Sequence, residues 1–190
     1  MAKNIKYWLF EGFLMKKEEK TVKSDLVFDG KVLHVYNDQI SLADGRLSYR
    51  EIIHHNGGVC VLAIVDGKIP LVKQFRYAYK KEMFELPAGK LEKGEDSYTA
   101  GIRELEEETG LKADSLVDFG FMYPSPGYTD EIIHMYFTDK VTKTHMHLDE
   151  DENIDVYYFS LHEILKMIED NQINDAKTIC LVLKYHQSIK

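Results

Sequence analysis

Cysteine, proline and tryptophan are scarce in this chain, with two, four and one among 190 residues. Cys60 and Cys180 stand far apart with no C-x-x-C spacing, which argues against a disulfide framework or a zinc site. No apolar run approaches the roughly 18 residues that a membrane-crossing helix requires. The apolar stretch from Tyr7 to Met15 is interrupted by Glu11, and Lys16-Lys17-Glu18-Glu19-Lys20 stands where a signal peptide would carry small residues. An excess of positive charge is also missing: Lys and Arg number 24 and Asp and Glu 32, a net charge of −8. That balance disfavours a nucleic-acid binder, whose affinity rests on phosphate neutralisation. GxxxxGK[ST] phosphate loops and GxSxG nucleophile elbows are absent. These absences predict a cytoplasmic protein with no membrane or nucleic-acid partner. The 44% of hydrophobic residues is enough for a packed core.

Turn signals divide the chain. Residues 1–55 read as a small β domain, with a strand over Lys31 to Leu42, a hairpin turn at Asp44-Gly45 and a strand over Arg46 to His55. Residues 56–190 read as a second domain. It opens with Val59 to Val65, an apolar run consistent with a strand buried on both faces. Further strands are expected over Ile69 to Phe75, Leu116 to Tyr123, Glu131 to Thr138 and Asn153 to Ser160. Helices are expected over Asp96 to Thr109, Leu161 to Asp170 and Asp175 to His186, with Gly110 capping the first. A helix inserted among strands, with helices at the end, predicts a mixed α/β sandwich.

The informative segment lies around the first helix. Wound at about 100° per residue, Glu104, Glu107 and Glu108 share one arc of about 100°. Tyr98, Ile102, Leu105 and Thr109 form a separate stripe to face the core. Ala100 and Gly101 are expected to leave open space on the acidic side. A run of glutamates is ordinarily a solvated face. Here, however, like charges repel at i,i+3 and i,i+4 by about 0.2–0.5 kcal/mol per pair. Glu106, Glu107 and Glu108 also occupy the last turn, where the macrodipole favours cations. A divalent cation reverses both penalties, and oxygen-only ligands select Mg²⁺, with Mn²⁺ as the alternative. Arg103 is placed to orient one carboxylate.

The segment from Gly89 to Leu111 resembles the Nudix box, G-x5-E-x7-R-E-U-x-E-E-x-G-U with U a bulky aliphatic residue. Gly89, Glu95, Arg103, Glu104, Leu105, Glu107, Glu108, Gly110 and Leu111 fill every fixed position. A chance match has a probability on the order of 10⁻⁹ per register. The resemblance implies a Nudix α/β/α sandwich with a mixed sheet, preceded by a small antiparallel β domain. It also implies hydrolysis of a nucleoside diphosphate linked to another group. Glu104 and Glu108 would be the main metal ligands, assisted by Glu107 and Glu95, and the carbonyl of Ala88 resembles a further ligand. Pro126, in Ser125-Pro126-Gly127, resembles the ADP-ribose pyrophosphatase branch. In that branch an acidic loop supplies the general base. Alignment of Asp149-Glu150-Asp151-Glu152 on the following strand gives that role to Glu150, with Glu152 as the second choice.

Arg50, Glu51 and Arg76 match positions that contact ADP-ribose in the family, and Glu131 matches a ribose-side contact. The resemblance runs from Phe28 to Thr178 and fades before residue 20, which leaves Trp8 without an assigned role. Its N-terminal strands resemble a small domain exchanged between subunits, so a homodimer is expected. The pairs His54-His55 and His145-Met146-His147 lack zinc-site spacing. The implied reaction is hydrolysis of ADP-ribose to AMP and ribose 5-phosphate. The rivals are a pyrophosphatase for another nucleoside diphosphate sugar, such as GDP-mannose, and a non-catalytic ADP-ribose sensor.

Overall fold

In the computed structural model, alternation along one central strand explains the layering of the larger part of the chain. Residues 18–30, 33–148 and 153–190 are described. β4 (Gly58–Ala63) is buried at every position. Side chains of a strand alternate between faces. Val59, Val61 and Ala63 accordingly pack with Ala100, Leu105, Leu111, Leu116 and Tyr136 in one core. Cys60 and Leu62 pack with Leu71, Leu86, Met135, Ile164, Leu181 and Val182 in another. A sheet with two apolar faces needs a helical layer on each.

Those layers follow from three helices among the described residues: α1 (Ser97–Thr109), α2 (Leu161–Glu169) and α3 (Ala176–Ser188). α1 supplies the first core, and α2 and α3 supply the second. The sheet order is β7 (Ala88–Lys90), β4, β10 (Ile133–Thr138), β9 (Val117–Met122). β10 runs parallel to β4 and the other two pairings are antiparallel. A second antiparallel sheet has the order β12 (Ile154–Phe159), β5 (Ile69–Arg76), β6 (Lys81–Glu85). β8 (Leu111–Ala113) and β11 (Val141–Lys143) form a short pair. This is the expected α/β/α sandwich with a mixed sheet.

The described residues fall into two compact units, one up to His54 and one from His55 onward. In the first, β1 (Lys20–Asp29), β2 (His34–Ser41) and β3 (Leu47–His54) make an antiparallel sheet. Gly45, at φ 84°, makes the tight turn between β2 and β3. Ile40 is buried, whereas Val22, Leu26, Val27, Phe28, Leu47 and Tyr49 are exposed. The expected strand over Lys31 to Leu42 begins at His34, with residues 31 and 32 outside the described part. Among the described residues, no helix is long and apolar enough to cross a membrane.

α1 starts and stops where local chemistry dictates. Asp96 accepts the backbone N–H of Thr99 as N-cap, and Gly110 closes the helix at φ 65° with its N–H on the Glu106 carbonyl. Two details differ from the expected helix faces. Ala100 and Gly101 leave no open space: both are buried, and a Cβ on Gly101 would meet Leu116 Cδ1 at 2.8 Å. Small residues here let the helix approach β4 and the Leu116 segment closely. Tyr98, expected in the core stripe, lies at its edge, 38% exposed, with its hydroxyl accepting the Leu116 N–H.

Candidate active site

β7 and α1 bring the acidic residues to the rim of one open cleft of about 480 Å³ in the second unit. Ala88, Gly89, Arg103, Glu104, Glu107 and Glu108 line one side. Gln74, Arg76, Glu131, His55 and Lys177 complete much of the rest. The closeness of β7 to α1 depends on Gly89, because a Cβ there would stand 2.0 Å from the Glu104 carboxyl group. Glu108 is buried, and its Oε2 accepts the Ala88 N–H at 2.9 Å. A carboxylate taken from water in this way needs such a donor.

Arg103 organises the other carboxylates. Its Nε and Nη2 donate to the two oxygens of Glu95, each at 2.9 Å. Nη1 reaches Glu107 Oε2 at 2.8 Å and Glu104 Oε1 at 2.9 Å. One guanidinium thus touches three of the four glutamates expected as metal ligands. Arg103, led by its bond to Glu95, holds the Glu95 carboxyl below the usual carboxylate range, and the Glu92 N–H adds to the effect. The same contacts raise the Arg103 pKa, so the guanidinium remains charged.

The Ala88 carbonyl belongs to the same strand as the Gly89 contact. The all-oxygen donor set of Ala88, Glu104, Glu107 and Glu108 suits a hard divalent ion. Among the described residues no three carboxylate, imidazole or thiol groups converge into a ready coordination shell. The positive charge among these glutamates is the Arg103 guanidinium.

Across the cleft, Arg76 ends β5 and grips Glu85 through two bonds of 2.6 Å, from Nε to Oε1 and Nη2 to Oε2. Glu85, at the end of β6, is 2% exposed. Burial alone would raise its pKa, but Arg76 and Lys177 outweigh burial and hold it below the usual range. Glu131 faces His55, with 3.5 Å between Oε1 and Nδ1, while His55 Nδ1 also accepts the Gly57 N–H.

Arg50 and Glu51 lie on β3 of the first unit. The Arg50 guanidinium is paired there with Glu19, and its Nη1 donates to the Tyr49 carbonyl. Glu150 and Glu152 lie outside the described residues, as does Trp8. Sequence reading passed over Glu85 and Lys177. The usable signal was Lys177 in the first turn of a helix, where the macrodipole disfavours a cation.

The Nudix domain pattern matches residues 54–182. The chain is 44% identical over 164 residues to an ADP-ribose pyrophosphatase of Bacillus subtilis, covering 85% of this chain and 89% of that protein. It is 41% identical over 178 residues to a methanol dehydrogenase activator of Bacillus methanolicus, covering 91% and 96%. A solved structure described as an ADP compounds hydrolase superposes with a TM-score of 0.82 over 90% of this chain and 94% of that one, at 19% identity, a likeness of fold. With Gly89, Arg103, Glu104, Glu107 and Glu108 of the box along one cleft and the pattern spanning residues 54–182, the chain belongs to the Nudix family.

Proposed function

We propose that this Nudix hydrolase splits ADP-ribose into AMP and ribose 5-phosphate with the help of Mg²⁺, or Mn²⁺ in its place. The observation that carries the reading is the division of one cleft into an acidic wall on α1 and a cationic wall at Arg76. A pyrophosphate needs both. Its own negative charge repels carboxylates, so ions held there must intervene, while its outer oxygens take guanidinium donors. The B. subtilis relative's name supports the choice of ADP-ribose.

Glu104, Glu107 and Glu108, with the Ala88 carbonyl and assistance from Glu95, would hold the divalent ions. Such ions neutralise phosphoryl oxygens and acidify water. Arg103 keeps the carboxylates oriented through its contacts with Glu95, Glu104 and Glu107. Arg76 binds and aligns the pyrophosphate, and Glu131 takes the ribose side. Glu150 accepts the proton of the attacking water, with Glu152 as the alternative; the helix carboxylates, engaged by cations, are poor proton acceptors. Water adds its oxygen to one phosphorus, the bridging oxygen leaves with the other, and the two monophosphates separate.

The first unit supports a second part of the proposal. A three-stranded sheet of this size is marginal alone, and Val22, Leu26, Val27 and Phe28 are exposed on it. We infer a homodimer in which this unit dimerises by exchange and brings Arg50 and Glu51 to the adenine end of a partner's site. Sedimentation at micromolar concentration should give twice the chain mass; a monomer would overturn the inference.

The substrate assignment is tested by kcat/KM across ADP-ribose, GDP-mannose and related nucleoside diphosphate sugars. ADP-ribose should lead the panel. A lead for GDP-mannose would replace the substrate and keep the reaction, and no turnover of any member would leave a nucleotide sensor. Hydrolysis in ¹⁸O-water should label AMP; label confined to ribose 5-phosphate would reverse the point of attack.

A further inference from the structure

Two segments of the cleft wall are laced together around one carboxylate. The His55 N–H donates to Asp130 Oδ1 at 2.9 Å, and the Gly58 N–H donates to the Ile132 carbonyl at 2.8 Å. Between these bonds the His55 ring faces Glu131, with 3.5 Å from Nδ1 to Oε1. Both side chains are largely buried, at 15% and 26% exposure, and both residues line the cleft. The neighbouring His54 turns instead to Tyr36, with ring centroids 4.8 Å apart in the first unit. The histidine pair that lacks zinc-site spacing is thus divided, and His55 is the member that belongs to the cleft.

The hydrogen-bond state of the His55 ring is set by the backbone two residues on. Nδ1 accepts the Gly57 N–H at 3.0 Å, so in the neutral ring Nδ1 carries the lone pair and Nε2 the proton. Gly57 presents its N–H there at φ 93°, and a Cβ on it would stand 3.0 Å from the Ile132 carbonyl oxygen. The ring therefore shows Glu131 an acceptor and no proton. A lone pair and a carboxylate oxygen do not bond, and 3.5 Å lies beyond the usual hydrogen-bond range. Other carboxylates of the site meet cations: Glu104 and Glu107 lie against Arg103, and Glu85 against Arg76. Among the described residues Glu131 has no such cation, and its close neighbour is the His55 lone pair.

We propose that His55 is a positioning residue for the reaction: held by Gly57 as an acceptor, it leaves the Glu131 carboxylate uncommitted and steers it toward hydroxyl donors on the sugar half of the substrate. Repulsion between Nδ1 and Oε1 disfavours a carboxylate turned to the ring, and a hydroxyl that donates to Oε1 relieves it. A proton on Nδ1 would do the opposite, because its bond to Glu131 would have to break before the sugar could be held. A buried acceptor left without a donor is costly, so a site arranged in this way rejects a ligand that lacks the hydroxyl. His55 acts through Glu131 and is assigned no contact of its own with the ligand.

This role rests on the reading of the cleft as a nucleoside diphosphate sugar site, and the test separates the two. Calorimetric titration of the whole protein in EDTA, with ribose 5-phosphate and with inorganic phosphate, reads the sugar contact without turnover. The wild type should hold ribose 5-phosphate more tightly than phosphate. His55→Leu should weaken ribose 5-phosphate by about tenfold and leave phosphate as it was. His55→Asn, whose side-chain oxygen can accept the Gly57 N–H from the place of Nδ1, should keep most of the affinity. In turnover, His55→Leu should raise KM for ADP-ribose more than it lowers kcat. Wild-type affinity for ribose 5-phosphate in folded His55→Leu, or equal losses for both ligands, overturns the positioning role. Nitrogen-15 NMR of the wild-type histidine rings decides the matter even if His55→Leu does not fold. At about pH 8, where an ordinary imidazole is neutral, Nδ1 of His55 should be unprotonated, and a proton on it overturns the proposal. If no nucleoside diphosphate sugar is hydrolysed but the selective loss for ribose 5-phosphate appears, the role of His55 stands and the reading as a hydrolase falls.

Discussion

Gly89 on β7 and Glu104 on α1 occupy adjoining volumes: a Cβ added to Gly89 would lie 2.0 Å from the Glu104 carboxyl carbon and one of its oxygens. The first glycine of the box and its central glutamate are thus one steric unit. Gly89→Ala should displace the Glu104 carboxylate and lower kcat by about a hundredfold, since misplacing a reacting group by about 1 Å has that effect. Circular dichroism should show the fold retained. Unchanged turnover in this variant would break the link between the close approach and catalysis.

Arg103 holds Glu95, Glu104 and Glu107 with one guanidinium. Arg103→Ala should release all three and raise the Mg²⁺ concentration needed for half-maximal turnover by about 10–100-fold, the usual effect of removing an outer partner of metal ligands. Arg103→Lys should not rescue it, because a single ammonium lacks the planar fork that grips both Glu95 oxygens. Activity measured across a Mg²⁺ titration gives the result directly.

Gly110 ends α1 at φ 65°, and a Cβ there would also approach Met146 N and Thr144 O, both at 3.3 Å. Left-handed backbone costs an L-residue about 1–2 kcal/mol. Gly110→Ala should therefore lower the urea midpoint by an amount equivalent to at least about 1 kcal/mol with an unchanged m-value. No loss of stability would mean that the cap relaxes.

Acid should weaken the fold through Glu85. Its carboxyl is held below the usual range, with Arg76 and Lys177 outweighing burial. A depressed folded pKa makes the unfolded chain bind more protons, so the stabilisation is full above the unfolded value of about 4.3. It is lost as pH falls through the lower folded value. Thermal midpoints of the wild type should drop below about pH 4.3, and those of Glu85→Gln should drop less. Equal slopes would remove Glu85 from the acid response.

How much of this was legible follows from particular residues. Asp96 and Gly110 bracket α1 in the sequence because a capping side chain and a left-handed glycine are local signals. The acidic arc was equally plain from helical spacing. Ala100 and Gly101 were misjudged because spacing gives a direction and not the distance to Leu116 and β4. The three-residue strands β7, β8 and β11 were missed: they are too short for any periodicity, and β7 exists through pairing with β4. β6, five residues with Glu85 buried at its end, carries a charge where a core strand is expected to be apolar. Lys177 read as one polar residue on an amphipathic helix, because only tertiary structure brings it to Glu85.

The most direct measurement of the central claim is hydrolysis of ADP-ribose by the purified protein before and after exhaustive EDTA treatment, followed by return of Mg²⁺. Turnover should vanish on chelation, recover with the added ion and stay several orders of magnitude lower in Glu108→Gln. Full activity in the chelated protein would contradict the assignment of the carboxylates on α1 and the mechanism built on them.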